Sequence, residues 1–126
     1  MNRKIFIAGS LAAMLAIIFG AFGAHALKEV IDPYSLEIWN KGVLYQMVHA
    51  LALLLCGLLA DKLYIKYIRI AAYFFFGGII LFSGSLYLLA FGKILPELTM
   101  IGPATPVGGL CFILGWLFLI LAAKKE

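Results

Sequence analysis

The sequence is poor in charged residues. Of its 126 residues only 13% are charged, ten basic and six acidic, whereas 65% are hydrophobic. A soluble domain has about 25% charged and about 45–50% apolar residues. So few charges cannot cover the surface of a soluble domain, and lipid is therefore predicted to be the main solvent of the chain. The net charge of +4 comes from basic residues at segment ends, so no nucleic-acid-binding patch is expected.

Other absences narrow the function further. The two cysteines, Cys56 and Cys111, both lie inside apolar runs, so we expect free thiols and no disulfide. No acidic residue lies within an apolar run, which argues against ion-driven transport. The sequence has no nucleophile–base pair, glycine-rich phosphate loop or carboxylate cluster. We therefore expect neither an enzyme nor a metal site.

Four long apolar runs are present, at about residues 5–27, 43–60, 68–91 and 107–123. Each is long enough to cross a hydrocarbon core of about 30 Å as a helix. None alternates with a period of two, and a backbone in lipid must satisfy its own hydrogen bonds, so helices are predicted. The fold class is an all-α membrane protein, a bundle of four transmembrane helices forming a single domain over residues 1–126.

Two of the connecting loops carry start and stop signals. Asp32, Pro33 and Ser35 are typical of a helix N-terminus, so the second helix is predicted to start at the membrane interface near residue 35. The loop between the third and fourth helices contains three prolines and is predicted to be irregular.

The basic residues predict an orientation. Seven lie on the side that holds both termini and only three on the other side. Cytoplasmic loops carry the excess of lysine and arginine, so both termini are predicted to be cytoplasmic. The seven are Arg3, Lys4, Lys62, Lys66, Arg69, Lys124 and Lys125, and the three are Lys28, Lys41 and Lys93.

The first run ends in GAFGAHAL at residues 20–27, which also fits a signal-peptidase site. The apolar core of a signal peptide normally spans about 7–15 residues, whereas this run has 20 residues before the site. We therefore expect the segment to be retained as a transmembrane helix.

Small residues recur on one face of the first helix, with a second pair on the third. A spacing of three to four residues lets a neighbouring backbone come close, so helix packing is predicted there, with a hinge as the alternative. The positions are Gly9, Ala13, Ala16, Gly20 and Gly23, followed by Gly77 and Gly84.

A polar stripe runs along the second helix. Tyr45, Gln46 and His49 share a face, and glutamine and histidine in a membrane are costly unless they face protein or water. Three readings follow: a polar clasp between helices, a ligand or proton site, and metal ligation. Ser83, Ser85 and Tyr87 of the third helix either join this face or bond their own helix carbonyls.

The two histidines are both predicted to lie in the outer half of the bundle. Counted from a second helix that enters the membrane at Val43, His49 would be about 9 Å deep and His25 about 3 Å. The two side chains could then meet. A facing pair could ligate haem, line a quinone pocket or relay a proton.

Four blocks together resemble a known family. GAFGAHAL at 20–27, YQMVHALALL at 45–54, LFSGSLYLLA at 81–90 and TPVGGLCFILGW at 105–116 resemble the domain-of-unknown-function 423 family. These are small four-helix proteins of the bacterial inner membrane, and eukaryotic transmembrane protein 256 is similar. The resemblance implies a multi-pass protein of the bacterial cytoplasmic membrane but supplies no catalytic residue, substrate or cofactor. The family's recurring positions match Gly20, Gly23, His25, Tyr45, Gln46, His49, Ser83, Gly84, Ser85, Tyr87, Pro106 and Gly108.

Three functions follow in order of preference. The first is a non-enzymatic accessory or assembly subunit, or a small homo-oligomer, in contact with the lipid bilayer. The second is a module that binds haem, quinone or lipid at His25 and His49, although no cofactor is required by the sequence. The third is an oligomeric transporter or channel for small solutes.

Overall fold

The computed structural model describes residues 1–124, and its helices confirm the all-α class. Four helical segments are long and apolar enough to cross a membrane, and no strand occurs within the described residues. Lys125 of the charge count lies outside them. The helices are α1 (Arg3–Ala24), α2 (Pro33–Leu59), α3 (Ile65–Gly78), α4 (Gly84–Leu89) and α5 (Ala104–Ala123). A π-helical turn (Ile79–Ser83) joins α3 to α4, and 3-10 turns cover Leu27–Glu29 and Pro96–Ile101.

Side-chain caps set the first two helix starts. The Asn2 side chain accepts a hydrogen bond from the Ile5 amide at 3.2 Å, and the Asp32 carboxylate accepts one from the Ser35 amide at 2.9 Å. Pro33 at the first position of α2 needs no hydrogen-bond acceptor for its nitrogen. The helix α2 runs unbroken for 27 residues and begins at Pro33, close to the start near residue 35 that the sequence predicts.

The third membrane crossing is not one regular α-helix. Within the π-helical turn the amide of Gly84 bonds to the carbonyl of Ile79, five residues back. A π-helical turn inserts one extra residue and rotates the rest of the helix relative to what precedes it. Ser83, Ser85 and Tyr87 therefore take a different facing from the one that a continuous α-helix would give.

Close approach between α1 and α2 depends on small residues. A Cβ at Gly9 would lie 2.8 Å from the Leu54 amide nitrogen, and one at Gly57 would lie 2.9 Å from that of Phe6. Both neighbours are backbone atoms, which cannot move aside. Ala16 is fully buried in the same contact. The two helices thus pack antiparallel with their backbones close together.

The other small positions fit the predicted packing role only in part. Gly20 and Gly23 also face α2, since a Cβ at Gly20 would lie 3.3 Å from Val43 and a Cβ at Gly23 would lie 2.8 Å from the Trp39 ring. Ala13 is only partly buried. Gly77 has nothing within 4 Å and Gly84 only the Ile79 carbonyl at 4.0 Å, so the expectation that these two pack against a neighbouring helix is wrong. The glycine that does so on α3 is the next one, Gly78.

Aromatic rings fill the contact between the third crossing and α5. A Cβ at Gly78 would collide with the Phe112 ring, and one at Gly115 would collide with the Phe75 ring. A Cβ at Gly108 would collide with the Phe82 backbone. Phe75 and Ile68 are fully buried in this core. By contrast α1 packs mainly on α2 and makes at most isolated contacts with α5.

Ion pairs tie the loops at the two ends of the bundle. At the α2 start Lys93 pairs with Asp32, and at the opposite end the amino group of Met1 pairs with Asp61. The hydrogen bond from Lys93, with that from Ser35, lowers the pKa of Asp32 from 3.8 to about 2. The Asp32 pair joins the α1–α2 loop to the loop after α4.

Candidate functional site

Gln46 ties three helices together at the middle of α2. It lies 13 residues after Pro33 and 13 residues before Leu59, and it is 3% exposed. Its amide donates to the Ala12 carbonyl of α1 at 2.9 Å. Its carbonyl oxygen accepts a hydrogen bond from the Tyr87 hydroxyl of α4 at 2.6 Å. We call these three residues the Gln46 clasp.

The clasp lies at the centre of the bundle, so the prediction of a polar cluster in its outer half is wrong. Depth was counted from a membrane entry at Val43, whereas Gln46 bonds to Ala12, which lies near the middle of α1 (Arg3–Ala24). At 1.5 Å per residue, Gln46 and His49 are about 20 Å and about 24 Å from the start of α2.

His49 is buried beside the clasp with both ring nitrogens engaged. Its Nδ1 lies 2.7 Å from the Tyr45 carbonyl, and its Nε2 lies 3.1 Å from Trp116 Nε1. A carbonyl only accepts and an indole only donates, so the proton is on Nδ1 and the ring is neutral. The imidazole stacks on Phe112 with centroids 3.5 Å apart and planes 8° apart.

An aromatic cleft opens beside His49 on the lipid-facing side of α2 and α5. It encloses about 540 Å³ and is lined chiefly by Tyr45, His49, Phe82, Phe112, Ile113 and Trp116. The Tyr45 ring is within 12° of parallel to His49 and within 20° of Phe112. Tyr45 and Trp116 are each 39% exposed at its rim, where the surrounding solvent is lipid.

Two serines of the third crossing behave differently. The Ser85 hydroxyl lies 2.8 Å from the Phe82 carbonyl and 2.5 Å from the Thr105 hydroxyl, so Thr105 donates to Ser85, which donates to the carbonyl. Ser85 therefore faces α5 and not the polar face of α2. Ser83 is fully buried, and within the described chain its hydroxyl has no hydrogen-bond partner.

His25 does not join His49, which corrects the expected histidine pair. His25 caps the C-terminus of α1, donating its amide to the Ala21 carbonyl at 3.2 Å, and its side chain is exposed. On α1, Gly9 faces Ala50 to Leu54 and Gly20 faces Val43, so about 12 residues, or roughly 18 Å, separate His25 from the level of His49. The two cannot ligate one haem.

Sequence reasoning missed Trp116, Phe112 and Thr105. Phe112 and Trp116 are four residues apart on α5, a spacing that places both on one face. That spacing was a signal for a shared surface, but nothing in the chain indicated that the surface would meet His49. Within the described residues no group of histidine, cysteine or acidic side chains is placed to hold a metal.

Comparison with known proteins identifies relatives but no described activity. The family described as a protein of unknown function, DUF423, matches residues 19–109. A UPF0382 membrane protein of Staphylococcus aureus is 45% identical over 123 residues, covering 97% of each chain. YwdK of Bacillus subtilis, also named a UPF0382 membrane protein, is 44% identical and covers 97% of this chain and 98% of its own. No solved structure matches. The chain is thus a membrane protein and belongs to the domain-of-unknown-function 423 family.

Proposed function

We propose that the protein is a non-enzymatic membrane protein that binds a flat, lipid-soluble ring of the quinone class in the aromatic cleft. The observation that carries this proposal is the cleft itself, which opens from the bilayer beside a buried, neutral histidine. Its volume of about 540 Å³ is within the range of about 300–1,000 Å³ that small-molecule sites occupy.

The chemistry of the lining selects the ligand class. The nearly parallel rings of Tyr45, His49 and Phe112 favour a flat ring, which gains offset stacking beyond simple burial. Both His49 nitrogens are already bonded, which leaves the Tyr45 hydroxyl, unpartnered among the described residues, as the donor at the rim. The hydroxyl can donate a hydrogen bond to a carbonyl oxygen of the ligand. Quinones are flat rings that carry such carbonyl groups.

The same geometry disfavours haem at His49. An axial ligand must offer a free imidazole nitrogen to iron, but Nε2 accepts the hydrogen bond from Trp116 and Nδ1 carries the proton. Ligation would leave the Trp116 N–H without its acceptor in an apolar site. A quinone requires no such loss.

The test is a fluorescence titration of the protein in lipid nanodiscs with a benzoquinone that carries one prenyl unit. The probe should quench tryptophan emission saturably, because Trp116 lines the cleft. Gly109→Leu should abolish saturable quenching, since a Cβ at Gly109 points toward the Phe82 ring at 3.7 Å inside the cleft. Tyr45→Phe should weaken binding by roughly two- to tenfold through the lost hydrogen bond.

Matched controls separate binding from partitioning. Tyr73→Phe removes a hydroxyl from a residue that is 78% exposed on α3, outside the cleft, and should leave the affinity unchanged. Gly77→Leu adds the same bulk as Gly109→Leu where nothing lies within 4 Å. Equal quenching in Gly109→Leu and Gly77→Leu would mean that the probe only partitions into the bilayer, and the proposal would fall.

A second candidate function, an accessory subunit or homo-oligomer, is favoured by the one-sided packing of α1. Only 11% of the most apolar stretch of α1 is buried, compared with 44% for α2. Such a helix has a face available for a second copy or for another membrane subunit. Native mass measurement in mild detergent tests this candidate, and a monomer without any partner would exclude it.

We also infer a bacterial cytoplasmic membrane location with both termini inside. The seven-to-three distribution of basic residues supports this orientation. Alkaline phosphatase fused to the C-terminus should be inactive, whereas green fluorescent protein fused there should fluoresce. The reverse pattern would overturn the orientation.

A further inference from the structure

A second recess lies on the opposite side of α2, between α1 and α3. It encloses about 410 Å³, and its lining includes Asn2, Lys4, Ile5, Leu53, Arg69 and Phe76. We call it the basic groove. It shares no lining residue with the aromatic cleft.

The groove is charged at one end only. Lys4 lies in the first turn of α1 and Arg69 in the second turn of α3, so both are at the membrane surface. Phe76 is seven residues beyond Arg69 on α3, about 10 Å deeper. The walls at that depth, with Leu53 and Ala8, are apolar. The groove thus runs from the headgroup level into the hydrocarbon.

The cations at the mouth are not neutralised by the described part of the chain. Asp61 is the one acidic residue described at this end, and its carboxylate pairs with the amino group of Met1. Neither Lys4 nor Arg69 forms a salt bridge among residues 1–124. Arg3 lies in an adjoining recess and adds positive charge to the same surface. A ligand with negative charge at one end and hydrocarbon at the other matches this arrangement.

We propose that the basic groove binds an anionic glycerophospholipid from the surrounding bilayer, with its phosphodiester at Lys4 and Arg69 and an acyl chain along Leu53 and Phe76. Arginine and lysine bind phosphate oxygens with charge-assisted hydrogen bonds. Basic pockets between transmembrane helices are a known setting for anionic headgroups. The lipid would fill the gap between α1 and α3, which α1 leaves because it packs mainly on α2.

The test compares two lipids with the same acyl chains, phosphatidylglycerol and phosphatidylcholine, by native mass spectrometry of the delipidated full chain. Phosphatidylglycerol should bind more tightly. Lys4→Gln and Arg69→Gln should each weaken its binding by about fivefold. They should weaken phosphatidylcholine binding less, because the choline cation already offsets the charge of its phosphodiester. Lys62→Gln and Lys66→Gln remove the same charge from the same end outside the groove and should have no effect.

The apolar part is tested separately with Ala8→Phe. Ala8 lines the groove and is only partly buried, so a larger side chain there should fill the groove and weaken both lipids equally. Far-UV circular dichroism would verify that each variant remains helical.

Three results would overturn the proposal. The first is equal affinity of the unmodified protein for both lipids. The second is loss of phosphatidylglycerol binding in Lys62→Gln and Lys66→Gln as large as in the groove variants, which would indicate general surface attraction. The third is full displacement of the lipid by millimolar inorganic phosphate, which would indicate a site for a free anion.

Discussion

Replacing Tyr87 with phenylalanine should loosen the contact among α1, α2 and α4. The substitution removes the 2.6 Å hydrogen bond to Gln46 and leaves the Gln46 carbonyl oxygen without a partner in a dry interior. An unsatisfied buried acceptor costs about 1–3 kcal/mol in soluble proteins. In membranes measured hydrogen-bond couplings average about 0.6 kcal/mol and reach about 1.7, so we expect Tyr87→Phe to destabilise the fold by about 1 kcal/mol.

A double-mutant cycle isolates the bond. Gln46→Leu removes the same partner from the other side and also loses the 2.9 Å bond to Ala12. The double variant should therefore be less destabilised than the sum of the two single variants, by about 0.6–1.7 kcal/mol. Reversible unfolding in mixed micelles with increasing dodecyl sulfate, followed by far-UV circular dichroism, measures each free energy.

The control is Tyr34→Phe, which removes a hydroxyl from a side chain that is 64% exposed, and which should change the free energy of unfolding little. If the destabilisations of the two clasp variants were strictly additive, the reasoning would be refuted. Additivity would mean that the hydrogen bond between Tyr87 and Gln46 has no interaction free energy.

Two other predictions concern packing and pH. Gly57→Ala should destabilise the fold by about 1–3 kcal/mol in the same assay, because its Cβ would meet the Phe6 backbone at 2.9–3.0 Å. Gly77→Ala, with open space around it, should be neutral or stabilising. Equal losses of stability in the two variants would contradict this account. The pKa of Asp32 is lowered from 3.8 to about 2, so its stabilising contribution is complete above about pH 5 and is lost as the pH falls toward 2. Between pH 5 and pH 2 the melting temperature should fall less for Lys93→Gln than for the unmodified protein. Lys28→Gln should match the unmodified protein.

The number and type of the helices were predictable because hydropathy and length are local properties. The same is true of the cap at Asp32, whose partner Ser35 lies three residues away. The site was harder to predict. The error over His25 came from the depth count, which started at Val43 although the helix itself was predicted to start near residue 35. The structure begins α2 at Pro33, ten residues or about 15 Å before Val43.

Contacts between distant segments could not be read from spacing. Gly57 faces Phe6, and Gly115 faces Phe75, so the reason for each glycine lies in a residue 40 or more positions away. The π-helical turn adds a phase shift that hydropathy does not reveal. For Ser85 this decides whether the hydroxyl meets α2 or Thr105, and it meets Thr105.

The arrangement of the helices bears on how any ligand reaches the protein. Because α1 packs mainly on α2, and α5 packs mainly on the third crossing, both outer helices leave recesses along α2. The aromatic cleft and the basic groove are those recesses, and each opens sideways to lipid. The polar groups between them, Gln46 and Tyr87, are closed by their own hydrogen bonds. A ligand would therefore enter laterally from the bilayer, so binding should depend on its concentration in the membrane and not on its concentration in water.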